Sequence, residues 1–361
     1  MKHSMLWQKK LLILCGTGGV GKTTTSAALA LRAALEGKRV GLITIDPAKR
    51  LANSLGLKKL SSEPQNLNHY IEKTLNKKIK GSLSALMLDS KDTLHKFLFT
   101  IGGKETLVPF TNSNLFQIIS DNFSGSHDYL AMEKLYELHH SNDFDLIVLD
   151  TPPARHTLDF LDAPDKIARF FDDRIFSWFL TDARSNKIIE KIRAKGAKTA
   201  LSVLEKLTGS GVLHDFVLLA PHIYKVKNSF VERQRKIQTL IRSDKAGALF
   251  VSSPTDLARG EAEPFLKDAE KQGITILALL VNRSLRKLAP ITYAQMRKQA
   301  PDAAPELLEN YQNLRFLVEE EEKNTKLLEK LAGTKYQTFS IAEWKEDIHD
   351  IHGLYALAQN F

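Results

Sequence analysis

The chain is poor in cysteine, with Cys15 alone among 361 residues. No disulfide can form within it, and a zinc site built on a C-x-x-C pair is excluded. So little cysteine fits a reducing compartment, and the expected location is the cytoplasm. Long apolar runs are also missing, and no stretch approaches the roughly 20 residues of a membrane span. The run Leu11 to Leu14, although preceded by Lys9 and Lys10, is too short for a signal peptide. Internal repeats and low-complexity tracts are absent. So is the Asn-Lys-x-Asp signature of guanine recognition. Charge is plentiful, but its net excess is a moderate +9. Solvated lysine on helix faces accounts for that excess, so nucleic acid is not an expected partner.

Against these absences stands residues 16 to 23, Gly-Thr-Gly-Gly-Val-Gly-Lys-Thr. The run fits G-x-x-x-x-G-K-[ST], a phosphate-binding loop. It follows the strand-like run Leu11–Cys15 and precedes a helix-like segment, Thr24–Leu35, which is the context the motif requires. The glycines let the backbone curl so that its N–H groups face anionic oxygens, and the helix N-terminus adds partial positive charge. The expected phosphate cradle comprises Gly16, Thr17, Gly18, Gly19, Val20, Gly21, Lys22, Thr23 and Thr24. Lys22 would reach the β- and γ-phosphates, and the Thr23 hydroxyl could ligate Mg²⁺.

Strand-like and helix-like runs alternate, which predicts an α/β fold with a mostly parallel sheet flanked by helices. The expected strands are Leu11–Cys15, Val40–Ile45, Leu83–Leu88, Leu146–Leu149, Leu249–Ser252, Ile274–Val281 and Tyr336–Ile341. Apolar residues at helical spacing across 160–244 predict an inserted α-helical subdomain within one 1–361 P-loop domain, with a contribution from 90–126. Gly102-Gly103 should break a helix there. The run Glu319 to Glu322 reads as a solvated helix face.

Ligands of open α/β sheets sit at the carboxyl ends of the strands. Asp46 ends the second apolar run, where a carboxylate could position an attacking water or hold Mg²⁺ through water. Asp150 ends Leu146–Leu149 in the Walker-B position, which would complete the Mg²⁺ site. Thr151-Pro152-Pro153-Ala154-Arg155-His156 follows, and its prolines would stiffen a loop sensitive to the γ-phosphate. Asn282, next to Arg283, offers an amide that could match an adenine edge.

These segments, in this order, resemble the arsenite-pump ATPase (ArsA) and tail-anchored-protein-targeting ATPase family of deviant Walker-A P-loop NTPases. The resemblance covers essentially the whole chain. It implies ATP and Mg²⁺ as cofactors and a dimer, homomeric or with a paralogue, that closes around nucleotide. It also implies catalytic roles for Lys22, Asp46 and Asp150, with metal ligation by Thr23, Asp46 and Asp150. Glu261, in the segment from Ser253 to Glu263, would contact nucleotide across the dimer, while Asn282 and Arg283 would line the adenine site.

The departures are specific. Thr17 stands where the family usually carries its signature lysine, and Arg155 stands where it usually has glycine. Arg155 is the expected substitute for the missing charge, ahead of Lys49 and Arg50. One thiol cannot assemble an arsenite site, and the zinc-bridged dimer of eukaryotic targeting members lacks its cysteines here. The 160–244 insertion contains no Met but carries Phe170, Phe171, Phe176, Trp178 and Phe179. That cluster fits either an apolar client helix or a core between insertion helices. A hydrophobic client protein or a membrane partner is therefore expected, the latter at the inner membrane face. A helical stripe of Trp344, Ile348, Ile351, Tyr355 and Ala358 could lie on lipid, although flanking acidic residues oppose anionic lipid. Two other readings stay open: a positioning ATPase that binds DNA or membrane, and a nucleotide-binding regulatory subunit with weak hydrolysis.

Overall fold

The computed structural model describes residues 6–46, 50–114, 116–117, 126–152, 157–158, 210–285, 292–299, 301, 305–344 and 346–361. In chain order the elements begin β1 (Leu11–Gly16), α1 (Lys22–Leu35), β2 (Arg39–Thr44), α2 (Arg50–Ser54), β3 (Gln65–Asn66), α3 (Asn68–Leu75) and β4 (Ser82–Met87). There follow α4 (Ser90–Thr111), α5 (Ser126–His140), β5 (Leu146–Asp150), α6 (Ser210–Ile241), β6 (Ala246–Ser252) and α7 (Asp256–Lys271). The last are β7 (Ile276–Ser284), α8 (Tyr293–Gln299), α9 (Pro305–Ala332), β8 (Gln337–Ala342) and α10 (Ile351–Ala358).

The chain divides into two compact units. The first holds Met1–Met87, Asp143–Leu158 and Leu240–Phe361; the second holds Leu88–Asn142 and Asp159–Thr239. In the first unit, eight strands form one sheet in the order β3-β4-β2-β5-β1-β6-β7-β8. All neighbours pair in parallel except β3 with β4. All seven strands expected from apolar runs are present. The addition, β3, is two exposed polar residues with no apolar signal. The central strands β1, β5 and β6 are buried throughout, as a parallel sheet covered on both faces requires.

Strand alternation sends Leu12, Leu14, Leu42 and Val148 into one core cluster with Ala27, Ala28, Leu31 and Ala34 of α1. The alanines let α1 lie close to the sheet while costing little helix propensity. On β6, Phe250 packs against Phe265 of α7, ring centroids 4.8 Å apart. Burying such a side chain contributes roughly 1.5–3 kcal/mol. α7 and α10 start at side-chain caps: Thr255 Oγ1 accepts from the Ala258 N–H at 3.3 Å, and Asp350 Oδ1 from the Gly353 N–H at 2.7 Å. α10 turns Ile351, Leu354, Leu357 and Ala358 into the core and packs against α1 and α3. The C-terminal apolar stripe is therefore largely core, with only Trp344 notably exposed among its expected members. At the amino ends of β2 and β5, the Arg39 guanidinium donates to Asp145 at 2.8 Å. These hydrogen bonds hold the Asp145 carboxyl down to about 2.

The second unit is helical in its described part. Leu94, Phe97, Leu98 and Phe110 of α4, Leu130 of α5, and Leu219, Val226 and Phe230 of α6 form its core. Phe97 and Phe230 meet edge-on at 4.9 Å. α4 breaks at Gly103, within the expected glycine pair. Arg233 ion-pairs with buried Glu133 and stacks over the Tyr136 ring at 4.8 Å. Burial pushes the Glu133 carboxyl up to about 7 against the pull of Arg233. The aromatic cluster expected at 170–179 lies outside the described residues. Among the described residues, no helix is long and apolar enough to cross a membrane.

Candidate functional site

The strand order sends the chain from β1 to β2 on one side and from β6 to β7 on the other, so the connections leaving these two neighbours diverge at their carboxyl ends. This switch point is where an open α/β sheet opens a crevice, and the glycine loop begins there. Gly16 closes β1 with φ of 149°, and a Cβ on it would lie 2.0 Å from the Val251 carbonyl oxygen of β6. Gly21 caps α1 with φ of 86°, and a Cβ there would lie 2.5 Å from Asn282 Nδ2. Both positions exclude a side chain, one through backbone and one through an amide.

Lys22, the first residue of α1, folds back under the loop. Its Nζ donates to the carbonyls of Gly16 at 3.0 Å and Thr17 at 2.7 Å. Burial lowers its pKa, with Asp150 the main opposing influence. Beneath the loop, Cys15 is fully buried and its thiol is pushed up to about 12, chiefly by desolvation. Thr17 is buried too, and its hydroxyl has no hydrogen-bond partner among the described residues.

Asp150, at the end of β5, is 1% exposed. Its Oδ2 accepts from Thr23 Oγ1 at 2.8 Å and from Thr44 Oγ1 at 2.9 Å. Ser26 Oγ lies 3.3 Å from Oδ1 but 2.9 Å from the Lys22 carbonyl, and its single proton favours the shorter contact. Burial raises the Asp150 pKa, while the hydroxyls of Thr23 and Thr44 and then the charge of Lys22 oppose the rise. The structure thus gathers Lys22, Thr23 and Asp150 around one spot. Thr44 and Ser26 were not anticipated from sequence. The available signal was a hydroxyl residue at a strand end and another one turn into the helix.

Asp46 sits just beyond β2, its backbone N–H donating to Thr44 Oγ1 at 3.3 Å. Its carboxylate pairs with exposed Arg50 at 3.2 Å. Thr24 Oγ1 lies 3.4 Å from Ser54 Oγ of α2. Thr151, after Asp150, donates to the Leu14 carbonyl at 2.7 Å, which ties the start of the following loop to β1. Arg155 lies outside the described residues, as do Pro47, Ala48 and Lys49.

Asn282, near the end of β7, turns its Nδ2 to the Val20 carbonyl at 2.8 Å. Its amide therefore touches the glycine loop itself. Arg283 has a left-handed φ of 63° and its guanidinium pairs with Glu343 at 3.2 Å. Glu261 lies half-buried on α7.

The residue set fits a magnesium–triphosphate group. Gly16 and Gly21 let the loop backbone pass against Val251 and Asn282 where a Cβ would clash, and Lys22 supplies the cation. Thr23 and Asp150 pair a hydroxyl with a carboxylate, oxygen donors suited to a hard divalent ion. Among the described residues, no cluster of three or more His, Cys, Asp or Glu side chains offers a softer metal centre.

Comparison with known proteins points the same way. The model of a family described as an anion-transporting ATPase, ArsA_ATPase, matches residues 9–336. Over 299 residues the chain is 26% identical to the "Putative arsenical pump-driving ATPase 2" of Aquifex aeolicus (strain VF5), covering 82% of this chain and 87% of that protein. Over 278 residues it is 23% identical to the "Putative arsenical pump-driving ATPase 1" of the same organism. That match covers 76% of this chain and 63% of the relative, less than two thirds of its length.

Proposed function

Because the chain belongs to the anion-transporting ATPase (ArsA) family, we propose that it is a cytoplasmic Mg²⁺-dependent ATPase. Its nucleotide state would switch the helical unit, which handles a hydrophobic client protein or a membrane partner. The observation that carries this reading is the convergence of Lys22, Thr23 and Asp150 beneath the glycine loop. The loop N–H groups and the N-terminus of α1 would hold the phosphates. Lys22 would exchange the Gly16 and Thr17 carbonyls for phosphate oxygens. Thr23 and Asp150, with Asp46 through water, would hold Mg²⁺, which supplies charge neutralisation on the phosphates when bound. Asp46 would release Arg50 and orient the attacking water. The Asn282 amide would offer its carbonyl oxygen to the adenine amino group, and Glu261 and Arg155 would act at the face of a dimer.

The relatives' names speak of arsenical pumps. Arsenite is not carried over, because the single thiol of this chain is buried and far above its ordinary pKa. The test is turnover of ATP by the purified protein and its variants. Lys22→Ala and Asp46→Ala each abolish it if the reading holds; unchanged turnover in both would sink it.

One observation favours a second reading. Thr17 is buried, and it occupies the position before Gly18-Gly19-Val20-Gly21-Lys22 where a lysine would reach across a dimer. A nucleotide-binding regulatory subunit, paired with a paralogue, would bind ATP tightly and turn it over negligibly alone. Brisk turnover by the isolated protein rules that out.

A further inference from the structure

Among the described residues, Thr44 is the side-chain donor to the Asp150 carboxylate that belongs to neither the glycine loop nor α1; the Ile45 N–H donates to the Asp150 backbone carbonyl at 3.2 Å. Thr44 is 1% exposed and ends β2, directly opposite Asp150 in the parallel register of β2 with β5. Its hydroxyl works in both directions, donating to Asp150 Oδ2 at 2.9 Å and accepting the Asp46 N–H at 3.3 Å. A hydroxyl has one proton and two lone pairs, so this single group joins the two carboxylate-bearing strand ends. Thr23 donates to the same Asp150 oxygen.

We infer that Thr44 is a positioning residue whose hydroxyl couples Asp150 to the backbone at Asp46, so that both loops respond together to a bound Mg²⁺–nucleotide. The inference rests on the Mg²⁺-ATPase reading and goes beyond it. A shift of the Asp150 carboxylate on engaging the cation would pass to the Asp46 N–H through the Thr44 hydroxyl, beside the backbone bond from Ile45 to the Asp150 carbonyl. Without that oxygen, the buried carboxylate loses a donor and the Asp46 amide loses its acceptor. Each cost falls on the arrangement at the γ-phosphate rather than on the adenine end.

The experiment uses Thr44→Val, which keeps the shape and removes the hydroxyl, and Thr44→Ser, which keeps the hydroxyl. The probe is a fluorescent ATP analogue, titrated with and without Mg²⁺ on the full chain, with kcat and KM for ATP measured alongside. The expected result for Thr44→Val is about a tenfold higher Mg²⁺ concentration for half-maximal binding, the size of one hydrogen bond to a charged group. Its binding without Mg²⁺ stays unchanged, kcat falls more than KM rises, and Thr44→Ser returns to within about threefold of the parent. If Thr44→Val melts early, Thr44→Ala carries the same measurement. Parent-like Mg²⁺ dependence in a folded hydroxyl-free variant overturns the inference, as does a Thr44→Ser variant as impaired as Thr44→Val. A parent protein that binds no nucleotide at all overturns the ATPase reading, and this inference with it.

Discussion

Gly21 and Asn282 meet so closely that each constrains the other, and a double-mutant cycle can measure it. In Gly21→Ala, the new Cβ has two costs. A left-handed φ of 86° is strained for any L side chain, roughly 1–2 kcal/mol. The Cβ would also lie 2.5 Å from Asn282 Nδ2, so the amide must swing away. Its bond to the Val20 carbonyl is then lost, and an unpaired buried acceptor costs about 1–3 kcal/mol. The single variant should therefore lose about 2–5 kcal/mol. Asn282→Ala alone should lose about 1–3 kcal/mol for the same missing donor. In the double variant the amide is already gone, so Gly21→Ala adds only the backbone strain. The two losses should fall short of additivity by about 1–3 kcal/mol. Calorimetric unfolding reads this at roughly 2–4 °C per kcal/mol for a unit of this size. Gly16→Ala is the control, because its obstacle is the Val251 backbone carbonyl, which no side-chain change removes. Strict additivity of Gly21→Ala and Asn282→Ala, or equal relief of Gly16→Ala by Asn282→Ala, would refute the contact as the reason for glycine.

Two further outcomes follow from buried ionisable groups. Glu133 has its carboxyl pushed from 4.5 to about 7 by burial, so the folded state favours its protonated form. Its contribution to stability is full below pH 4.5 and is lost as pH rises to about 7. The unfolding midpoint should decline across that window, and Glu133→Gln should flatten the decline; superimposable profiles would disprove it. Cys15, buried and with a thiol near 12, should resist iodoacetamide at pH 8 in the native protein and react once guanidinium unfolds it; rapid native labelling would count against the burial.

Much of the fold was legible because it rests on apolar runs. Seven strands announced themselves as runs such as Leu11–Cys15 and Leu146–Leu149, since strands buried on both faces carry no polar alternation. The two-residue β3 could not announce itself, being Gln65-Asn66 and held only by pairing with β4. The stripe from Trp344 to Ala358 was legible as apolar but not as core, because a sequence does not say which surface covers an apolar face. At the site, Lys22, Thr23 and Asp150 were readable from motif spacing, whereas Thr44 was not. Its hydroxyl matters only because β2 lies beside β5, 106 residues later in the chain.

The sequence by itself determined the phosphate loop, the alternation that makes a parallel sheet, and the single thiol that rules out a multi-cysteine site. These follow from local residue types and spacing. Only the tertiary structure decided which strand ends adjoin. It brought Thr44 and Thr23 to one oxygen of Asp150, and it placed Asn282 of β7 against Gly21 of the loop. The physical reason is that strand order is set by how the crossovers pack, so residues far apart in sequence acquire hydrogen-bond partners that no local pattern encodes.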